Sequence, residues 1–122
     1  MNEVRLIATM DIPEGKQAAA REALASLVAK VRETDDRAQT LQYEACIAQD
    51  GSCVLMIERY RDAAALGAHM QNLGDSLGAL LAHVQLSGLH IIGELPDAMK
   101  AAFAEIGPRY SSVAFSLGDA EA

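Results

Sequence analysis

A histidine, a glutamate and a tyrosine in the middle of the chain could together move protons: His69, Glu58 and Tyr43. His69 lies three residues after Leu66 and four before Leu73, so these side chains fall on one face of a helix. An imidazole that faces an apolar core instead of water needs a hydrogen-bond partner or a ligand. The spacing therefore predicts a functional pocket beside His69.

A predicted β-hairpin brings Tyr43 and Glu58 together. Strands over residues 40–48 and 53–60 flank an Asp-Gly dipeptide, which favours a tight hairpin turn. If the two residues that flank this dipeptide pair with each other, Tyr43 lies opposite Glu58, and Tyr60 shares their face of the sheet. A one-residue bulge would reverse that face, so the grouping depends on a regular ladder.

A histidine, a carboxylate and a phenol in an apolar cleft are the groups that proton abstraction from a phenolic or enolic substrate requires. In this hypothesis His69 is the base, Glu58 the acceptor that orients it, and Tyr43 the donor to the oxyanion. Each also has a structural interpretation, as a packed core histidine, a salt-bridged strand end and a core aromatic. The predicted substrate-binding residues are Met10, Met56, Tyr60, Leu66 and Met70.

The elements that position these residues follow the order strand, helix, strand, strand, helix, strand. Alternating apolar residues predict a first strand over residues 4–12, and helical periodicity predicts helices over about 16–32 and from 62 to 84, kinked or interrupted at Gly74. A fourth strand is predicted over residues 86–94. This order is that of an α+β, ferredoxin-like split βαβ fold, in which an antiparallel sheet carries both helices on one face.

The chain continues beyond this core. Residues 1–122 are predicted to be a single domain, with the core at about 3–95 and a C-terminal extension at about 96–118. The extension is predicted to hold a third helix and an edge strand over residues 111–117, and residues 118–122 are expected to fray. Its role stays open: it could cover the pocket, extend the sheet or exchange with a partner.

The predicted sheet is apolar on both faces, although the helices cover only one. On the third strand Val54 and Met56 share one face, while Leu55 and Ile57 share the other. One face of the second strand carries Leu41, Tyr43, Ala45 and Ile47. An uncovered apolar face of this size favours association, so the sequence predicts a homodimer.

Composition excludes several classes of function. Seventeen acidic against ten basic residues give a net charge of -7, which opposes binding to nucleic acid or to an anionic membrane. With no long apolar run and no signal-like start, the chain is expected to be soluble and cytoplasmic. Cys46 and Cys53 are predicted to be free thiols that act as small core hydrophobes. The three histidines lack metal-ligand spacing, so no metal site is predicted.

Five segments together resemble the antibiotic-biosynthesis monooxygenase domain family. They are LQYE at 41–44, LMIERYRD at 55–62, ALGAHM at 65–70, IPEG at 12–15 and HIIGE at 90–94. The resemblance covers about residues 4–95 and implies a dimeric α+β barrel, in which two ferredoxin-like sheets pack face to face. Family members include cofactor-free oxygenases of aromatic polyketides, quinol oxidases, haem-degrading enzymes and proteins with no assigned activity, so the fold alone does not fix the chemistry.

The leading hypothesis is a cofactor-independent monooxygenase or quinol oxidase that acts on a small aromatic phenol or quinol with dioxygen. The alternative is a non-catalytic, dimeric small-molecule-binding module of the same fold. A third hypothesis is haem binding through His69, but the haem-degrading branch relies on a pocket tryptophan and this chain has none. No cofactor is predicted. The sequence leaves open which substrate binds and whether a reaction takes place.

Overall fold

Five strands and four helices are present in residues 2–118, the part of the chain that the computed structural model describes. The strands are β1 (Val4–Asp11), β2 (Thr40–Ile47), β3 (Cys53–Tyr60), β4 (Gln85–Ile92) and β5 (Arg109–Ser111). The helices are α1 (Gln17–Thr34), α2 (Ala63–Leu73), α3 (Ser76–Leu81) and α4 (Asp97–Phe103). Of the segment expected to fray, residues 119–122 lie outside the described residues.

All five strands form one sheet in the order β2-β3-β1-β4-β5. The contacts among the first four strands are antiparallel, as the ferredoxin-like arrangement requires, and β5 adds to β4 in parallel. The predicted α+β fold is therefore confirmed. The predicted edge strand over 111–117 was wrong in its bounds, because β4 ends at Ile92, whose partner is Ser111, and offers no further ladder.

The hairpin between β2 and β3 has the predicted pairing, with Tyr43 opposite Glu58 and Ile47 opposite Val54. An irregularity between Thr40 and Gln42 shifts the ladder at the start of β2. Leu41, which lies at this shift, is 42% exposed.

The helices pack on one face of the sheet and bury two apolar clusters against it. Helix α1 contributes a stripe with helical spacing: Ala20, Leu24, Leu27 and Val31. These side chains pack in the first cluster with the inward side chains Ala8, Met10, Val54 and Met56 of the central strands. The second cluster joins the N-terminal half of β1 to α2 and α4, through Val4, Leu6, Tyr60, Leu66 and Phe103 among others. Each buried Leu or Met contributes roughly 1.5–3 kcal/mol, so this face anchors the helices that carry the site.

The second predicted helix is divided into two at Gly74. Asp62 caps the start of α2, because its carboxylate accepts a hydrogen bond of 2.8 Å from the backbone N–H of Ala65. Gly74, with φ of 52°, lies in the left-handed region that glycine adopts readily, and the chain turns there before α3 begins. The interruption fixes where α2 ends, one turn beyond His69. No helix within residues 2–118 is long and apolar enough to cross a membrane.

The sheet face that points away from the helices is open. Ile7 and Leu55 on this face are 36% and 37% exposed, and Ile57 is half-buried. Cys46 and Cys53 also lie here as free thiols, the first exposed and the second half-buried. The prediction that both cysteines are core hydrophobes was therefore wrong, since the hairpin pairing places Cys46 opposite Leu55 on the uncovered face.

Candidate active site

His69 faces the protein interior and forms a dyad with Asp35. Its side chain is 1% exposed, that of Asp35 is 2% exposed, and Nδ1 lies 2.6 Å from Oδ2 of Asp35. The inward orientation follows from its position on α2 between the buried residues Leu66 and Leu73. A histidine and a carboxylate that are both withdrawn from water stabilise each other and hold the imidazole in one orientation.

Asp35 is positioned by the end of α1 and held by three donors. It follows the last helical residue in an extended conformation, and its N–H donates to the carbonyl of Val31 at 2.9 Å. The hydroxyl of Thr40 donates to Oδ2 at 2.7 Å, and the amide of Asn72 donates to Oδ1 at 3.0 Å. Burial opposes ionisation, but the hydrogen bonds from Asn72, Thr40 and His69 outweigh it and lower the pKa of Asp35.

These contacts define which nitrogen of His69 can react. An ionised carboxylate only accepts hydrogen bonds, so Nδ1 of His69 carries the proton that is shared with Asp35. Burial lowers the pKa of the imidazole, against the opposing effect of Asp35, so the ring is neutral at pH 7. The Nε2 atom then presents a lone pair, which is the form that a general base requires.

Glu58 is the second titratable group of the site and has a different partner. The hydroxyl of Tyr60 donates to its Oε1 at 2.5 Å, and both residues are buried. Burial, reinforced by the negative charge of Asp35, raises the pKa of Glu58 to about 7, although the Tyr60 hydrogen bond acts in the opposite direction. Near neutral pH this carboxyl group can therefore give up a proton as well as accept one.

The two tyrosines surround the imidazole. The ring centroids of Tyr43 and Tyr60 lie 4.9 Å and 5.0 Å from that of His69, both tilted. Burial raises the pKa of each phenol, and the charge of Glu58 adds to this effect. Both tyrosines remain protonated at every physiological pH, so each hydroxyl can donate a hydrogen bond.

A cavity of about 110 Å³ lies between the sheet and the helices, next to these residues. Its polar wall includes Tyr43, Glu58 and His69. The rest of the wall is apolar and includes Met10, Met56, Met70, Leu73, Leu77, Phe103 and Ile106. Engineered apolar cavities of about 150 Å³ bind benzene, so this volume suits a guest of about one aromatic ring.

Six of the eight predicted site residues border this cavity. They are His69, Glu58, Tyr43, Met10, Met56 and Met70. Tyr60 and Leu66 are fully buried in the second apolar cluster instead and do not border it. Leu66 lies one turn before His69, and the hydroxyl of Tyr60 is directed at Glu58.

The sequence analysis missed Asp35 as the partner of the histidine and assigned that role to Glu58. Asp35 is separated from His69 by 34 residues and stands in a polar run that is typical of an exposed loop. One signal was available: Asn72 follows His69 by three residues, so two polar side chains share a helix face that is otherwise apolar. Such a pair indicates a polar partner on a neighbouring element.

Neither a metal nor a haem fits the described part of this site. In residues 2–118 no three His, Cys, Asp or Glu side chains come together in a group that could hold a metal ion. A cavity of about 110 Å³, which suits about one aromatic ring, is also too small for a haem macrocycle.

Comparisons with known proteins agree with this fold. MupZ from Pseudomonas fluorescens is 19% identical, with a TM-score of 0.80 and coverage of 100% of both chains. Rv0793 from Mycobacterium tuberculosis is 20% identical, with a TM-score of 0.63 over 79% of this chain and 98% of its own. SnoaB, a cofactor-independent oxygenase from Streptomyces nogalater, is 17% identical, with a TM-score of 0.60 over 73% of this chain and 91% of its own. A search of the curated proteins finds no match.

The structural likenesses, at these identities, show the fold and not the reaction. The likeness to MupZ extends over the C-terminal helix and strand, since it covers both chains completely. Family membership rests on the sequence profile described as Antibiotic biosynthesis monooxygenase, which matches residues 3–104. The chain belongs to the antibiotic biosynthesis monooxygenase family.

Proposed function

We propose that this chain is a cofactor-independent monooxygenase or quinol oxidase for a small aromatic phenol or quinol. The observation that carries the proposal is the buried His69–Asp35 dyad on the wall of an apolar cavity, with the carboxyl group of Glu58 beside it. The family, and the cofactor-independent oxygenase SnoaB among the similar structures, support the same reaction class.

The first step is removal of a proton from the bound substrate. Nε2 of His69 accepts the proton of a phenolic hydroxyl group, and Asp35 stabilises the imidazolium that forms. The hydroxyl of Tyr43 donates to the developing oxyanion, which its high pKa allows it to do without losing its own proton. The product is an electron-rich anion in a cavity from which water is excluded.

Dioxygen is then the oxidant, and two balanced outcomes follow. A quinol loses two electrons and two protons to give a quinone, while dioxygen is reduced to hydrogen peroxide. In the monooxygenase route, a ring carbon conjugated with the phenolate oxygen bonds to dioxygen, and the peroxide anion takes the proton back from His69 to give a hydroperoxide on a carbon that keeps its hydrogen. Loss of that hydrogen as a proton to His69, together with breakage of the O–O bond, then leaves a carbonyl group and releases water. In that last step Glu58, with a pKa of about 7, supplies the proton that the leaving hydroxide needs.

The size of the cavity restricts the substrate. A volume of about 110 Å³ accepts a single ring with small substituents, while two or three fused rings require the walls to move. Methyl-substituted hydroquinones are therefore better first substrates than anthrones or naphthols. The three methionines Met10, Met56 and Met70 provide a wall that adapts to different ring substituents.

We further propose that two copies of the chain associate through their open sheet faces, as in a dimeric α+β barrel. The partly exposed side chains of Ile7 and Leu55, with the half-buried Ile57 between them, support this arrangement. An exposed apolar surface on the broad face of a sheet is stabilised by burial against an equivalent surface.

The test of the reaction is oxygen consumption by the purified protein with methylhydroquinone. We expect His69→Ala to abolish catalysed oxygen uptake and Asp35→Asn to reduce it by a factor on the order of a hundred or more, since loss of the orienting carboxylate disrupts the tautomer. The matched control is His90→Ala, which removes an imidazole that lies outside the cavity and contacts Ser111. If wild type and His69→Ala consume oxygen at the same rate, the role of His69 is refuted.

A second candidate is a non-catalytic module that binds a small apolar molecule. The nearly continuous apolar lining of the cavity favours it, because such a cavity binds an apolar ring without any reaction. The two functions separate in one experiment. A binding module binds toluene or a methylhydroquinone in calorimetry, consumes no oxygen with any quinol, and binds as well after His69→Ala.

A further inference from the structure

A second recess, the outer cleft, lies on the other side of Asp35 and Tyr43 from the cavity. It has a volume of about 180 Å³ between the C-terminal end of α1 and the start of β2. Its lining residues are Val28, Val31, Arg32, Asp35, Arg37, Thr40, Leu41, Gln42 and Tyr43. Tyr43 borders both the outer cleft and the inner cavity, so its ring is the partition between them.

Two arginines give the outer cleft a positive rim. Arg32 and Arg37 are both exposed, and within residues 2–118 neither forms an ion pair with a carboxylate. The charged side chains that line the outer cleft are Arg32, Arg37 and Asp35, a balance of one positive charge in a chain whose net charge is -7. Guanidinium groups bind carboxylates with two parallel hydrogen bonds, which fixes both position and orientation.

The carboxylate of Asp35 also borders the outer cleft, but its oxygens already accept hydrogen bonds from other side chains. Oδ2 accepts from His69 and Thr40, and Oδ1 accepts from Asn72. The lining also includes the apolar side chains of Val28, Val31 and Leu41. A ligand that suits these walls has an anionic group at one end and an apolar body at the other.

We propose that the outer cleft binds the carboxylate of an aromatic carboxylic acid, and that the ring of this ligand reaches the dyad past Tyr43. The proposal deepens the proposed function and rests on it for the identity of the ring as a substrate. The two arginines would then select hydroxylated aromatic acids over neutral quinols. Tyr43, half-buried between the two recesses, would be the side chain that moves to admit the ring.

Calorimetric titration at low ionic strength tests the anion site without any turnover. The probes are benzoate and its neutral counterpart benzamide, and the variants are the double substitution Arg32→Gln/Arg37→Gln and a matched control, Arg21→Gln/Arg109→Gln. We expect wild type to bind benzoate at least about tenfold more tightly than benzamide, because a charge-assisted pair is worth more than a neutral contact. The first double variant should lose that preference, and the control should keep it.

Equal benzoate affinity in wild type and Arg32→Gln/Arg37→Gln overturns the proposal, as does an equal loss in the control. The resonance of Nε2 of His69 reports whether the ring reaches the dyad. Benzoate should shift it in wild type and leave it unchanged in Arg32→Gln/Arg37→Gln. If inorganic phosphate binds as tightly as benzoate and benzoate does not move this resonance, the cleft holds free anions only, which also overturns the proposal. Benzoate is not a quinol, so its binding can be measured even if the protein oxidises no quinol. Failure of the anion site and failure of the proposed oxidation are therefore distinguishable.

Discussion

Glu58→Gln should change how the stability of the protein depends on pH. The carboxyl group is 8% exposed, and burial raises its pKa from 4.5 to about 7. The folded state therefore holds a proton between these two pH values that the unfolded chain releases. Stabilisation from this group is fully present below pH 4.5 and is lost as the pH rises through 7.

The magnitude follows from the two pKa values. The change from 4.5 to about 7, at 1.36 kcal/mol for each pH unit, corresponds to roughly 3 kcal/mol of unfolding free energy lost between pH 4.5 and pH 8. His69 acts in the opposite direction, since burial lowers its pKa and its contribution is lost as the pH falls below 6.5. The difference between wild type and Glu58→Gln at each pH cancels this effect and isolates Glu58.

Urea unfolding at pH 5, 6, 7 and 8 measures this difference. Relative to wild type, Glu58→Gln should gain roughly 2.5 kcal/mol of stability between pH 5 and pH 8, most of it below pH 7. Glu44→Gln is the matched control, because it removes an exposed carboxylate from the neighbouring strand. If the unfolding free energies of wild type and Glu58→Gln change with pH in parallel, the raised pKa of Glu58 is refuted, and with it the proton donation proposed for the last step.

Two further predictions concern assembly and the backbone. Leu55→Glu places a charge on the open sheet face, so sedimentation should show a species near 13.0 kDa in place of the dimer. The control Ala25→Glu, on the exposed side of α1, should remain a dimer. A wild-type protein that sediments as a monomer contradicts the proposed barrel. Gly93→Ala should lower stability by roughly 2 kcal/mol or more, because φ is 121° and the new Cβ would lie 2.7 Å from a backbone oxygen. Gly78→Ala, in a helix with open space around it, should instead stabilise by about 0.5–1 kcal/mol, and thermal unfolding of both variants measures the two changes.

Local patterns predicted the scaffold of the site well. The Asp-Gly turn fixes the pairing that sets Tyr43 opposite Glu58, and the apolar stripe of α2 turns His69 inward. Both depend on residues that are close in sequence. The partner of His69 does not: Asp35 reaches it only when α1 and α2 pack side by side, a contact that no periodicity encodes.

The errors have equally local causes. The last strand was misplaced because its length depends on where β4 ends, and not on its own residues. Leu66 and Tyr60 were predicted to line the cavity, but both are fully buried in the second apolar cluster and do not border it.

Helix α4 supplies one wall of the cavity. It attaches to the second apolar cluster through the buried ring of Phe103 and the half-buried Met99, and Phe103 also lines the cavity. Exposing one such ring costs about 2–3 kcal/mol. If a bulky substrate can enter only when this ring is displaced, we expect that cost to weaken its binding about a hundredfold relative to a substrate that fits the closed cavity. The seven residues of α4 would then select substrates by size.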